Sequence, residues 1–166
     1  EAAIDAFGIG TEMITGKNDA ALDGVYKLSC LNYQPKMKFS ENIEKITLPG
    51  KKQVFRCLDQ QGHFYRDAIC LEDEKEQTVD RIYHPVYPER STPIGKCSKE
   101  PLLNPVVRKG TVLTEEKTPA EIHHYLQERS SMLPDEHKRF ISPHIYKVGI
   151  STKLMNTRNT LAKRLE

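Results

Sequence analysis

Gln53-Val54-Phe55-Arg56-Cys57-Leu58, a polar break holding Gln61-Gly62, and then Asp67-Ala68-Ile69-Cys70-Leu71 form the stretch that decides the fold. Both runs are built from residues that suit a pleated, half-buried surface, and the Gln-Gly pair supplies the turn between them. The two runs therefore read as a β-hairpin. Upstream, Thr47-Leu48-Pro49-Gly50 is a turn signal that delivers the chain into the first strand. Further out, Val25-Tyr26-Lys27-Leu28-Ser29-Cys30-Leu31 and Met37-Lys38-Phe39-Ser40 read as two more strands. Downstream, residues 79–86 form a candidate strand, and Val106-Val107 with Thr111-Val112-Leu113 can flank a turn at Gly110. Pro85, Pro88, Pro93, Pro101 and Pro105 punctuate this middle region and exclude a long helix from it.

The C-terminal part changes character. Thr118-Pro119-Ala120-Glu121 combines a capping Thr, a Pro at the first helical position and a Glu three residues on, the marks of a helix start. Ile122, Tyr125, Leu126 and Arg129 follow at helical spacing, and Met132 and Leu133 continue the apolar stripe. Pro134 opens a second helical turn over 134–139. Residues 143–150 read as extended or loop, and Ser151 caps a final helix whose buried stripe is Leu154, Leu161 and Leu165. At the other end, Ala3-Ile4-Asp5-Ala6-Phe7 reads as a strand buried on both sides, as in a parallel sheet or barrel.

Composition narrows the function. The chain has 166 residues, 37% apolar and 29% charged, with 25 Lys+Arg against 23 Asp+Glu for a formal charge of +2. No run approaches the ~18 apolar residues of a helical membrane span, so a membrane role is not expected. So small a net charge argues against a dedicated nucleic-acid binder, and the basic excess of the last third fits a solvated helix face. Cys30, Cys57, Cys70 and Cys97 include no Cys-x-x-Cys pair, and three of them sit in apolar settings. They read as buried thiols in a reducing, cytoplasmic compartment, with no metal site expected. The chain opens on Glu1-Ala2-Ala3-Ile4, as though cut from something longer.

Few residues carry chemistry by pattern. Phe7-Gly8-Ile9-Gly10-Thr11 ends a strand in two glycines, where backbone N–H groups can approach a phosphate unobstructed and Thr11 adds a hydroxyl. An ordinary strand-to-loop turn would look the same. Lys36, Lys38, Lys45, Lys51, Lys52 and Arg56 could steer a polyphosphate, yet their alternation with Met37 and Phe39 fits a solvated sheet face better. His123 and His124 are adjacent on a helix and point about 100° apart, unlike the i, i+4 pair of a helical zinc site. His84, His137 and His144 stand beside Pro or charged residues and show no ligand pattern. Glu72-Asp73-Glu74 with Glu76 resembles a hairpin end and not an acid/base dyad.

Taken together, several segments resemble nicotinate phosphoribosyltransferase in order and spacing. They are residues 5–11, Gly24-Val25-Tyr26-Lys27-Leu28, Pro35-Lys36-Met37-Lys38-Phe39-Ser40, and 45–56. Residues 134–139, Ser142-Pro143-His144-Ile145-Tyr146-Lys147-Val148 and Ile150-Ser151 look like the closing segment of the family's longer form. The resemblance implies an enzyme, both transferase and ligase, joining nicotinate to phosphoribosyl pyrophosphate to give nicotinate mononucleotide in NAD biosynthesis. ATP hydrolysis, with Mg2+, would accompany the reaction, and family members commonly act as homodimers.

The match falls on the last third of such an enzyme. The implied fold class is α+β: a late strand and phosphate loop of an incomplete α/β barrel, then a β-rich domain with C-terminal helices. Residues 1–24 would end the barrel, 25–100 would form the β-rich part of the second domain, and 101–166 the helical segment. Gly8, Gly10 and Thr11 would bind the 5′-phosphate. No catalytic residue is carried over, because the family's phosphorylatable histidine and nicotinate contacts have no counterpart here. The chain alone is therefore expected to be inactive and to need the rest of the barrel as partner. A non-catalytic assembly or regulatory module is the alternative.

Overall fold

In the computed structural model the described residues are 24–42, 45–95 and 97–163. The strand and phosphate loop expected over residues 3–11, with Gly8, Gly10 and Thr11, lie outside them, as does Leu165. In chain order the elements are β1 (Cys30–Leu31), β2 (Gln34–Pro35), β3 (Lys52–Leu58), β4 (Phe64–Leu71), β5 (Arg81–Tyr83) and β6 (Ser91–Pro93). These are followed by β7 (Ser98–Pro101), β8 (Val107–Arg108), β9 (Thr111–Val112), α1 (Pro119–Ser131), β10 (Val148–Ser151) and α2 (Thr152–Ala162). Single 3-10 turns occur at Glu76–Thr78 and Asp135–His137.

The hairpin organises everything else. β3 and β4 pair antiparallel with Phe55 opposite Ala68 and Arg56 opposite Asp67, and a bulge near Leu58 ends the ladder. Asp59 Oδ1 accepts the N–H groups of Gln61 and His63, and Gly62 takes a φ of +86°, so the turn falls where Gln61-Gly62 predicts it. Six strands share one sheet in the order β6-β5-β10-β4-β3-β7. Only the β10–β4 pair is parallel. Phe55, Cys57, Ala68, Cys70, Val79, Ile82 and Ile94 form the core against it.

Residues 143–150 read as extended or loop, and the end of that segment is extended: Val148–Ser151 is an interior strand, hydrogen-bonded to β4 on one side and β5 on the other. Four residues are too few to show a period, and Gly149 breaks the run. That glycine is required by space: a Cβ there would lie 2.8 Å from Ile82 Cβ and 2.9 Å from the Tyr83 carbonyl oxygen. β6 and β7 also escape sequence reading, because Pro93 and Pro101 disguise them. Both lie at the margins of the sheet, where a missing N–H is tolerated.

Two expected strands are corrected. Only Cys30–Leu31 of the run 25–31 is extended and paired, in a small ladder with Gln34–Pro35, and Val25 and Tyr26 are exposed. Residues 37–40 form no strand; Lys38 is held by Thr47 through its N–H and its carbonyl. Strand propensity failed in both places because no described neighbour offers a ladder. The β8–β9 hairpin turns at Lys109 and Gly110, both with positive φ, as a two-residue turn demands.

Both helices begin as their sequences predict. Thr118 accepts the Glu121 N–H while the Glu121 carboxylate receives the Thr118 N–H, a reciprocal cap. Ser151 Oγ accepts the Leu154 N–H at 3.1 Å, and Leu154 is completely buried where α2 lies against β4, β5 and β10. Leu161 is half-buried. The stripe of α1 is present but uncovered: Ile122, Tyr125 and Leu126 remain 54–59% exposed among the described residues.

Two of the three thiols in apolar settings, Cys57 and Cys70, are buried, whereas Cys30 and Cys97 are partly exposed; all four are free. Burial drives the Cys57 thiol well above its ordinary range and the Cys70 thiol up to about 12. A thiol reagent at pH 8 should leave Cys57 and Cys70 unmodified in the native chain and label them only through the urea unfolding transition. Gly149→Ala should lower stability by ~1–3 kcal/mol, the usual cost of overpacking, read as a lower urea midpoint.

Candidate functional site

Charged side chains inside a sheet need partners, and the hairpin brings one such pair together. Arg56 on β3 and Asp67 on β4 face each other, and the guanidinium grips the carboxylate with two parallel bonds, Nε to Oδ1 at 3.0 Å and Nη2 to Oδ2 at 2.8 Å. Tyr146 Oη donates to the same Oδ1 at 2.9 Å. Asp67 thereby raises the Arg56 pKa, while burial and then the Asp67 charge push the Tyr146 phenol far above its ordinary value. Both groups hold one protonation state across the physiological range.

A second pair lies beside the first. Arg129, in the last turn of α1, bonds both carboxylate oxygens of Glu100 on β7. The Phe64 ring sits between the two guanidinium groups, with Arg56 Cζ 4.3 Å and Arg129 Cζ 4.7 Å from its centroid. The Phe64 N–H donates to the Met132 carbonyl at 2.8 Å, which ties the end of α1 to the start of β4. The cluster is a matched set of charges: each cation already has its anion. Its chemistry is positional, clamping α1 and the segment around Tyr146 onto the sheet.

The remaining basic stretch is similarly occupied. Lys52 Nζ donates to the carbonyls of Leu48 and Gly50, and its partial burial lowers its pKa. Lys51 lies near Glu72 and over the Tyr33 ring. The cations from Lys36 to Arg56 thus do not converge on one anion site. Glu72-Asp73-Glu74 is a turn, as expected: Glu74 accepts the Leu71 N–H and the Ser151 hydroxyl, and Asp73 pairs with Lys153. His84 Nδ1 accepts two backbone N–H groups, whereas His137 Nδ1 donates to the His144 carbonyl at 2.7 Å. Among the described residues no three His, Cys, Asp or Glu side chains gather as a metal would require. A cleft of about 1140 Å³ lies between α2 and the segment around Asp73 to Arg81; in its wall Asp73 pairs with Lys153 and Arg81 donates to the Ser91 hydroxyl.

Sequence reading missed the roles of Asp67, Glu100, Arg129 and Tyr146. One signal was available: the hairpin register sets Arg56 of one strand opposite Asp67 of the other. Glu100 and Tyr146 gave none, since their strand and segment were not recognised.

A sequence profile described as nicotinate phosphoribosyltransferase C-terminal domain matches residues 51–158, from one residue before β3 into α2. The chain belongs to the nicotinate phosphoribosyltransferase family. It is 34% identical over 162 residues to the nicotinate phosphoribosyltransferase of Caenorhabditis elegans, covering 95% of this chain and 29% of that protein. The enzyme of the same name from Bacillus subtilis is 35% identical over 157 residues, 90% of this chain and 32% of the relative. The crystal structure of human nicotinic acid phosphoribosyltransferase superposes with a TM-score of 0.73 at 30% identity, over 86% of this chain and 27% of that one. The chain therefore spans about a third of the length of these family members. Its α+β architecture, a mixed sheet with two C-terminal helices, is similar to the corresponding part of the human enzyme.

Within the family domain, the Arg56–Asp67 pair is the contact whose loss should be felt most. Asp67→Asn should cost on the order of 2–3 kcal/mol, below the ~3–5 kcal/mol of a fully buried pair because the Arg56 side chain keeps 23% of its exposure. Tyr146→Phe should cost only ~1 kcal/mol, one hydrogen bond. Urea denaturation of the two variants checks both the size and the order.

Proposed function

We propose that this chain is the C-terminal portion of an enzyme that joins nicotinate to phosphoribosyl pyrophosphate, forming nicotinate mononucleotide for NAD biosynthesis with ATP hydrolysed alongside. The observation that carries the reading is the family match over the whole six-stranded sheet, residues 51–158. Residues 1–24 are the end of the catalytic barrel, and backbone N–H groups at Gly8, Gly10 and Thr11, with the Thr11 hydroxyl, hold the 5′-phosphate. Glycines suit that task because the absent Cβ lets an anion approach the amides. Residues 25–100 and 101–166 complete the second domain.

The same reading assigns catalysis elsewhere. Among the described residues Arg56 and Arg129 are neutralised by Asp67 and Glu100, which leaves that cluster a structural role. Transfer of a phosphoribosyl group depends on positioning and on stabilising developing charge. A phosphate loop without the rest of its barrel supplies neither, so this chain alone is silent, and ATP and Mg2+ act on the complete enzyme. The exposed apolar residues Ile122, Tyr125, Leu126, Phe140, Ile141 and Ile145 support a partner that covers them, the rest of the barrel. Homodimers and a cytoplasmic location complete the proposal, the latter in keeping with four free thiols.

The purified 166-residue chain should form no nicotinate mononucleotide above a protein-free blank; measurable turnover would overturn this part of the reading. Ribose 5-phosphate should shift the backbone amide resonances of Gly8 to Thr11, and unmoved resonances would remove the phosphate loop from the proposal.

A further inference from the structure

Arg66 is the buried cation for which the fold provides no counter-charge. It is only 4% exposed. Its Nη1 donates to the Pro93 carbonyl at 3.1 Å, and its guanidinium carbon lies 3.6 Å from the centroid of the Tyr65 ring. Its Nε is buried with no acceptor. Arg56 and Arg129 each grip a carboxylate, but Arg66 forms no ion pair among the described residues. A desolvated charge of this kind is costly unless something negative reaches it.

Arg66 also lines a cleft of about 560 Å³ between the β3–β4 turn and the segments around Pro134 and Pro143. That volume falls in the range of ~300–1,000 Å³ usual for small-ligand sites. Phe64, Tyr65 and Ile145 give it apolar walls, and Lys147 supplies a second cation with no ion pair among the described residues. Two carboxylates share the lining. Asp59 is already taken by the N–H groups of Gln61 and His63 and by the His63 imidazole, whereas Glu136 is placed to accept a ligand hydroxyl.

We propose that this cleft binds the phosphate group of a small, hydroxyl-bearing phosphate monoester, drawn by the unpaired charge of the Arg66 guanidinium in its wall and by Lys147 beside it. The site stands on geometry around residues 59–66 and 134–147 and does not rest on the phosphoribosyl reading.

The test is calorimetric titration of the 166-residue chain with glycerol 3-phosphate and, separately, inorganic phosphate at fixed ionic strength. Saturable one-site binding is expected, tighter for the monoester. Arg66→Met should weaken it by about tenfold or more and Lys147→Ala by about threefold, as loss of charge-assisted bonds implies. Lys147 is exposed, so its variant keeps the fold and decides the matter even if Arg66→Met does not fold. Amide shifts at Tyr65 to Asp67 and Ile145 to Lys147 would place the ligand in the cleft. Shifts confined to Gly8–Thr11, the pattern the phosphoribosyl reading alone would give, would overturn the proposal. So would unchanged affinity in Lys147→Ala, or equal affinity for the two probes.

Discussion

Val148–Ser151 supplies the hydrogen bonds that make one sheet out of two antiparallel pieces. On one side it accepts β4 in parallel register, Gly149 opposite Ala68; on the other it meets β5 antiparallel, Ile150 opposite Tyr83. Without it, β5 and β6 would have no path of backbone bonds to the β3–β4 hairpin, and the core over Val79, Ile82 and Ile94 would lose one of its walls. Tyr146 and Asp67, which bond just before the strand begins, are 79 residues apart in sequence. The decisive pairing is therefore non-local, and closing so long a loop carries an entropic cost that local pairings avoid. The strand is also where α2 starts, since Ser151 is at once its last residue and the cap of the helix.

The face of the sheet bearing Arg56 and Asp67 is organised differently from the apolar core. There, cohesion comes from charges matched in pairs, with an aromatic ring as spacer. The Phe64 ring lies against both guanidinium groups, and each of these is neutralised by a carboxylate from a neighbouring strand. The arrangement fixes orientation more than it adds stability, because a satisfied ion pair gains little over a good apolar contact. What it fixes is the direction in which α1 leaves the sheet. The apolar stripe of α1 is consequently presented outward, held in place at one end by Arg129 and Met132.

Legibility in the sequence followed the range of the interactions. The hairpin could be read because its turn chemistry and β-rich runs are adjacent, and α1 because a capping box is a local device. Ser151 could be read as a cap for the same reason. β10 could not, since its identity comes from β4 and β5 and not from its own four residues. Cys30–Leu31 shows the converse: strong strand formers upstream of it stay unpaired when no described neighbour accepts them. The glycine loop at Gly8 to Thr11 was visible only as a pattern, in residues outside those the structure describes. The partnership of Arg56 with Asp67 was implicit in the hairpin register, and Glu100, Arg129 and Tyr146 depended on contacts that no local rule foretells. The family resemblance was carried by ordered segments across the chain, which is why it survived errors in individual strands.

The two margins of the sheet share a feature with consequences beyond the single molecule. β6 ends on Pro93 and β7 on Pro101, and β7 carries Lys99 and Glu100 along its length. An unpaired strand offers a row of amides and carbonyls to any other chain that comes alongside. Here each margin is only three or four residues long, lacks an N–H at its end, and on one side bears charges that a second copy would have to match. A six-stranded sheet of this kind resists growing into a seventh strand, so encounters between molecules are steered away from fibre-like stacking and toward side-chain surfaces.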